Sequence, residues 1–301
     1  MKICAVVVTY NRLSELKKCI NSLKMQTRKL DSILVINNSS TDGTLNWLKV
    51  QEEIEFSTQP NLGGAGGFHT GIKIAYEKGF DWVWCMDDDG YPLRDCLENL
   101  VRSIKLCTNI DIVGPLVVPM SKSNILSFQT PFFDNNCNEK SSTILVEEIK
   151  KRAVNNLYKC HAVFFNGVLI NKNTIVKVGF PEEKFFMYGD EIEYYQRIIE
   201  NGFGVFTNIE ALFIHPMNKF KIIKFLNQDI FDGKYDWKAY VYIRNRIYLH
   251  NKKYHGFALK FILSQLIYVL RMRKITVLKL VLLAYFHGIN ANFDYDYKEL
   301  K

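Results

Sequence analysis

The chain has 301 residues, of which 48% are hydrophobic and 23% charged, with a formal net charge of +8. That balance can bury a substantial core, and it excludes a disordered, collagen-like or small disulfide-stapled protein. The charge is uneven: residues 215–301 hold 16 Lys/Arg and 6 Asp/Glu, a balance of +10, which leaves −2 for residues 1–214.

Residues 3–8 form a continuous apolar run of strand length, stopped by Thr9-Tyr10-Asn11-Arg12. Apolar spacing at Leu16, Cys19, Ile20 and Leu23 predicts a helix over 14–25. A second buried strand, 33–36, runs into the polar stretch from Asn37 to Thr44, and 45–50 reads as helix. Residues 61–71 are glycine-rich and read as a loop, 72–78 as helix, and 83–86 as a strand that ends abruptly in Asp87-Asp88-Asp89-Gly90. Buried strands alternating with helices predict an α/β protein with a doubly wound, mostly parallel sheet covered by helices on both faces. Such sheets bind ligands beyond the carboxyl ends of their strands, and three of the strand ends carry polar clusters.

From residue 110 the pattern changes. Residues 112–118 are strand-like, whereas 121–142 are polar, with Phe128, Phe132 and Phe133 among them, and read as a long loop or irregular hairpin. Loops of that length are usually functional or mobile. Strand character resumes over 163–170, Gly179-Phe180-Pro181 terminates a short helix, and 194–199 reads as helix. Residues 204–214 form a strand that ends in His215-Pro216. The apolar segments 257–270 and 275–289 are separated by Arg271, Arg273 and Lys274 and interrupted by Lys260, Gln265 and Lys279. Neither reaches the roughly 18–20 apolar residues of a spanning helix. A basic, apolar-faced pair suits contact with an anionic membrane surface, or packing on the main domain or on a second subunit. The division expected is 1–250 as the main domain, with halves of about 1–115 and 116–250, and 251–301 as a basic amphipathic helical region.

The seven cysteines form no C-x-x-C pair, several lie in apolar runs, and they read as reduced thiols serving as small hydrophobes. With Met1-Lys2-Ile3 entering the first strand at once, no secretory signal is expected and a cytoplasmic location is.

Three successive carboxylates at the end of a buried strand repel one another unless a cation or hydrogen-bond donors neutralise them. Alternate oxygen ligands such as Asp87 and Asp89 suit Mg²⁺ or Mn²⁺; the plainer alternative is an acidic turn capping the next helix. The glycines of 63–67 let backbone N–H groups approach a ligand, although neither a P-loop nor a dinucleotide fingerprint is present. Asp190-x-x-Glu193 has capping-box spacing and leaves Glu191 over as a candidate general base, against a solvated acid of a first helical turn. His215 is a structural histidine or a metal ligand beside carboxylates.

Six motifs occur in a telling order: Val6-Val7-Val8-Thr9-Tyr10-Asn11-Arg12; Asn38-x-Ser40-Thr41-Asp42-Gly43-Thr44; Asn61-x-Gly63-Gly64-x-Gly66-Gly67-Phe68; Asp87-Asp88-Asp89; Phe164-Phe165-Asn166-Gly167; and Phe185-Phe186-x-Tyr188-Gly189-Asp190-Glu191-Ile192-Glu193-Tyr194. Over roughly residues 3–250 the chain resembles the inverting family 2 glycosyltransferases, and within them the bacterial galactofuranosyl- and rhamnosyltransferase-like branch. The resemblance implies a GT-A fold and a nucleotide-sugar donor near Thr9, Arg12, Asn37, Asn38, Asn61, Gly64 and Asp88. It implies Mn²⁺ or Mg²⁺ on Asp87, Asp89 and His215, with Glu191 as base. Asp190, Glu193, Phe186 and Tyr188 are expected to hold a glycan or lipid-linked glycan acceptor. Two departures stand out: Asn37 where many relatives have Asp, and Glu191 where Asp is commoner.

The function expected is metal-dependent inverting transfer of a sugar, first of all galactofuranose from UDP-galactofuranose, to a hydroxyl of a cell-surface polysaccharide precursor. The alternatives are transfer of rhamnose or another hexose from dTDP-rhamnose or a UDP-hexose, and a non-catalytic glycan-binding protein. Nucleotidyl transfer would want a glycine-rich, basic signature after the first strand, where Thr9-Tyr10-Asn11-Arg12 stands instead. A homo-oligomer and a peripheral place on the inner face of the cell membrane complete the expectations, and no nucleic acid partner is expected.

Overall fold

A computed structural model describes residues 1–121, 124–133, 139–217, 222–253, 257–273 and 275–294. It divides into two compact units, Met1–Glu183 with Tyr194–Asn218, and Lys184–Glu193 with Lys219–Lys301.

The first unit is built on a nine-stranded sheet. Its main path runs Glu55–Thr58, Ser32–Asn37, Ile3–Thr9, Trp82–Asp87, Asn166–Asn171, Ile112–Val118, Val205–Ile214 and Tyr91–Pro92, and Leu157–Lys159 pairs with Val205–Ile214. The first four strands are mutually parallel, Asn166–Asn171 runs antiparallel between Trp82–Asp87 and Ile112–Val118, and Val205–Ile214 is parallel to Ile112–Val118. The mostly parallel α/β architecture expected from the sequence is therefore present. Both sheet faces are covered, and the period of two along each strand decides which side chain goes where. Ala5, Val7, Val35, Trp84 and Met86 pack on Leu16, Cys19, Ile20 and Leu23 of the helix Leu13–Lys24 and on Leu97 and Leu100 of Cys96–Leu106. Val6, Val8, Leu34, Ile36, Val83 and Cys85 pack on the opposite face against Phe68, Ile72 and Ala75.

Those last three belong to the helix Gly63–Glu77, which corrects the expected glycine-rich loop. Glycine is a poor helix former, so the local reading favours a loop. Tertiary packing overrides that preference: a Cβ on Gly67 would lie 2.4 Å from Val8 Cγ1. On Gly71 it would meet Val6 Cγ1 at 2.3 Å. The glycines let the helix lie directly on the central strand. Of the 121–142 stretch, the described part is a hairpin of Ile125–Phe133 with Glu139–Leu145. Cys4, Cys19, Cys85, Cys96 and Cys107 are free thiols, as expected, but Cys160 is disulfide-bonded.

In the second unit Tyr240, Val241, Ile243 and Ile247 of the helix Trp237–Lys253 pack on Phe261, Ile262 and Val269 of Phe257–Arg271 and on Val281 and Ala284 of Leu278–Ile289. A hairpin of Ile222–Phe225 with Gln228–Phe231 adds Ile230 to this core. The boundary expected at residue 250 falls inside the helix Trp237–Lys253. No helix among the described residues is long and apolar enough to cross a membrane.

His161 lines a small cavity with Leu116, Leu126, Phe128, Ile149 and Thr207, and its Nδ1 lies 3.3 Å from Thr207 Oγ1. Burial lowers its pKa from 6.5 to about 4. Between those values the unfolded chain binds a proton that the folded chain does not, so stability rises with pH there and is lost as pH falls from 6.5 to 4. A shift of that size corresponds to at most roughly 3 kcal/mol. Urea unfolding of His161→Phe is expected to show a flatter stability profile between pH 6.5 and 4 than the unaltered protein.

Candidate active site

The strand Trp82–Asp87 is apolar up to Met86 and then delivers three acids to the carboxyl edge of the sheet. The strand's alternation sends Asp87 towards the face of Cys85 and Asp88 towards that of Met86. Asp88 is buried. Its Oδ2 accepts a hydrogen bond from Thr9 Oγ1 at 2.7 Å, and Arg12 Nη1 lies 3.3 Å from its Oδ1. Burial pushes the Asp88 carboxyl up to about 6, against the Thr9 hydrogen bond and the Arg12 charge. Arg12 Nη1 also lies 2.5 Å from Asp89 Oδ2. For Asp89 burial alone would raise the carboxyl, but hydrogen bonding to His215 and Arg12 and their charges bring it below its ordinary value. One guanidinium thus bridges two of the three acids, which is how their repulsion is relieved.

His215 lies just beyond the strand Val205–Ile214, and its Nε2 is 3.2 Å from Asp89 Oδ1. Its Nδ1 is 2.6 Å from the Pro216 carbonyl oxygen, which can only accept, so Nδ1 carries a proton. The lone pair of a neutral His215 is then directed from Nε2 at a carboxylate oxygen, and that edge asks for a proton or a metal ion between the two atoms. Two neighbouring ligands of an octahedral ion, each about 2.1 Å from it, lie about 3 Å apart, so the Asp89–His215 pair fits Mn²⁺ or Mg²⁺ in spacing and in donor type. Asp87 does not complete the expected trio: among the described residues no group of three His, Cys, Asp or Glu side chains is placed to hold a metal. The remaining positions on an ion would fall to water and to ligand phosphate, as is usual for Mg²⁺.

The other expected donor contacts divide. Asn37 and Asn38 are buried and engaged within the fold. Asn37 Oδ1 accepts from the Ser40 N–H, and Asn38 Nδ2 donates to the Gly63 carbonyl at 2.9 Å. Asn61 Oδ1 accepts from the Gly63 N–H, tethering the start of the glycine helix. A Cβ on Gly64 would meet nothing within 4 Å, so its backbone is open to approach.

In the second unit Asp190, Glu191 and Glu193 begin the helix Asp190–Glu200. The capping expectation is corrected here: Glu191 Oε2 accepts the Gly189 N–H at 2.9 Å, so the residue read as uncommitted holds an N-terminal amide. Glu193 is buried and lies 3.6 Å from Lys252 Nζ. Phe186 stacks edge-on against Trp237 and Tyr188 against Tyr242, with centroids 6.0 and 6.4 Å apart.

Several supporting residues escape a reading of local sequence. Ser127 Oγ donates to the His215 carbonyl at 2.7 Å, and the Phe128 ring lies 4.9 Å from the imidazole, so the Ile125–Phe133 strand braces His215. Asn11 Oδ1 accepts the Thr41 N–H, and Asp42 Oδ2 accepts the Leu13 N–H, joining the turns after the first two strands. Their clustering after strand ends was the available signal.

The family model Glycosyl transferase family 2 matches residues 4–169. The chain is 31% identical over 226 residues to galactofuranosyltransferase GlfT1 of Mycobacterium tuberculosis, covering 70% of this chain and 69% of that protein. The Mycolicibacterium smegmatis galactofuranosyltransferase GlfT1 is 29% identical over 217 residues, with 71% of this chain and 70% of that protein covered. Among solved structures, GalNAc-T7 with UDP, GalNAc and Mn²⁺ aligns at a TM-score of 0.59 and 13% identity over 85% of this chain, which spans about half of that one, 48%. S. aureus TarS 1–349 in complex with UDP-GlcNAc aligns at 0.54 and 13% identity, covering 82% of this chain and 66% of that one. At such identity the likeness is one of fold, the GT-A fold that the resemblance implied.

Thr9→Val keeps side-chain volume and removes the donor from buried Asp88. Loss of about 1–3 kcal/mol is expected in urea unfolding. The Asp88 carboxyl midpoint, followed by carbon NMR, should move above about 6.

Proposed function

The chain belongs to glycosyl transferase family 2, and on that premise we propose that it transfers galactofuranose from UDP-galactofuranose to a hydroxyl of a cell-surface polysaccharide precursor, with inversion at the anomeric carbon. The observation that carries the choice of sugar is the 31% identity to a galactofuranosyltransferase over most of both chains. A rhamnosyl or other hexosyl donor is the second reading, and it keeps the same roles for the residues.

Glu191 takes the proton of the attacking acceptor hydroxyl, for which a carboxylate anchored through one oxygen is suited. Asp89 and His215 are the residues that would hold a divalent cation, and Arg12 neutralises the other oxygen of Asp89 and one of Asp88. When bound, the cation supplies neutralisation of charge developing on the departing diphosphate. Gly64 offers open backbone to the donor. Phe186 and Tyr188 offer ring faces to acceptor sugars, and Asp190 and Glu193 serve the same acceptor side.

The second unit also offers a surface for the membrane where a lipid-linked acceptor would lie. On the helix Phe257–Arg271 the outward stripe is Leu259, Leu263, Ile267 and Leu270, all exposed, which reverses the usual polar outer face. Residues 257–289 carry five Lys/Arg and no Asp/Glu. A second copy packed through this same face would bring like charges together with no acid in 257–289 to offset them, which favours an anionic bilayer surface as the partner.

Incubation with a panel of UDP-sugars, dTDP-rhamnose and Mn²⁺ tests the activity: nucleoside diphosphate release with UDP-galactofuranose is expected, whereas release with none of them would leave binding alone. Glu191→Gln should lower kcat by about a hundredfold or more while UDP affinity holds. Asp89→Asn and His215→Ala should each weaken Mn²⁺ binding about tenfold or more, read by electron paramagnetic resonance of the free ion. Leu263→Ser with Ile267→Ser should abolish pelleting of the protein with phosphatidylglycerol vesicles; equal pelleting of the unaltered protein with phosphatidylcholine would remove the anionic-surface reading, and pelleting with neither would remove the membrane reading.

A further inference from the structure

Behind Glu191 lies a backbone conformation that aromatic residues rarely adopt. Phe186 has φ +66°, Tyr188 +61° and Gly189 +104°. Left-handed backbone at two bulky residues in one short segment persists only where the surroundings impose it. Asn245, fully buried on the helix Trp237–Lys253, supplies that constraint. Its Nδ2 lies within hydrogen-bond distance of the carbonyl oxygens of Phe185, Met187 and Tyr188, at 3.0, 2.8 and 2.8 Å. The amide has two N–H bonds to share among the three. The orientation of the Asn245 amide is itself set, because Arg244 Nε donates to its Oδ1 at 2.9 Å and Arg244 Nη2 reaches the Phe185 carbonyl.

The peptide joining Tyr188 to Gly189 is a single rigid plane. Its carbonyl accepts from Asn245 and its N–H donates to Glu191 Oε2, so the two hydrogen bonds sit at opposite ends of one plate. Were that plate to turn over, the carbonyl oxygen would face the Glu191 carboxylate and repel it. We infer that Asn245 is a positioning residue for Glu191: it locks the Tyr188–Gly189 peptide with its N–H towards the carboxylate, holding one carboxylate oxygen so that the other is presented to the acceptor hydroxyl. Gly189 is required for the same reason, since φ +104° is strained for any side chain and an added Cβ would lie 3.3 Å from Leu249 Cδ1.

This inference rests on the proposed role of Glu191 as base, and the experiment separates the two. Asn245→Asp is nearly isosteric but cannot donate while ionised. The single variants Asn245→Asp and Glu191→Gln and the double variant are compared for turnover of UDP-galactofuranose with an octyl galactofuranoside, and exchange of the Gly189 amide proton is followed by NMR. Asn245→Asp should lower kcat by about tenfold to a hundredfold with donor KM within about twofold. In the Glu191→Gln background the same change should cost almost nothing further, and it should speed exchange at Gly189. A merely structural role predicts equal losses in both backgrounds; that result, or unaltered Gly189 exchange, overturns the inference and leaves the base assignment standing. Full turnover by Glu191→Gln overturns the base assignment, and this inference with it. Should Asn245→Asp fail to fold, Asn245→Ser, whose short hydroxyl cannot span the three carbonyls, carries the same comparisons.

Discussion

Three carboxylates in succession can end a buried strand only if their charge is answered at once, and the answer comes from the turn after the neighbouring strand. Val8 lies beside Asp87 in the parallel register, so the next residues of that chain, Thr9 and Arg12, are within reach of Asp88 and Asp89. The parallel pairing is what makes this possible, because both strands end at the same edge. An antiparallel neighbour would have brought a strand start there. The acids and their compensating donors therefore depend on one another through sheet register, and the cross-links from Asn11 and Asp42 fix the turn that carries them.

The strands and their alternation could be read from the sequence because they rest on local periodicity: Val6 and Val8 on one face, Ala5 and Val7 on the other. The motif order also led to the right family. What could not be read locally were the decisions taken by distant residues. The run from Gly63 to Gly71 reads locally as loop because glycine disfavours helix, and only the side chains of Val8 against Gly67 and Val6 against Gly71 explain why a helix without Cβ atoms at those two positions is needed there. The spacing of Asp190 and Glu193 suggested a capping pair with Glu191 left over, yet Glu191 binds the Gly189 amide. The left-handed backbone before it carries no clear signature at Phe186 or Tyr188, both of which ordinarily avoid it.

The same distinction applies to His215. Its place after an apolar strand was legible, whereas the hydroxyl of Ser127 and the ring of Phe128 that brace it come from 87 to 88 residues away along the chain. Histidines that bind metal ions almost always donate their second ring N–H to a fixed acceptor, and the Pro216 carbonyl is placed to be such an acceptor for His215. The residues that give the chemistry its direction are thus mostly not the charged ones that catch the eye.

The direct seating of the Gly63–Glu77 helix on the central strand has an evolutionary consequence. With no side-chain layer between Gly67 and Val8 or between Gly71 and Val6, the separation of the two backbones behaves as a fixed gauge. Descendants of this chain are free to remodel the outer loops and so change what they accept. A single methyl at either glycine would push the helix off the strand, and inheritance is expected to be narrowest there, at positions that carry no functional group at all.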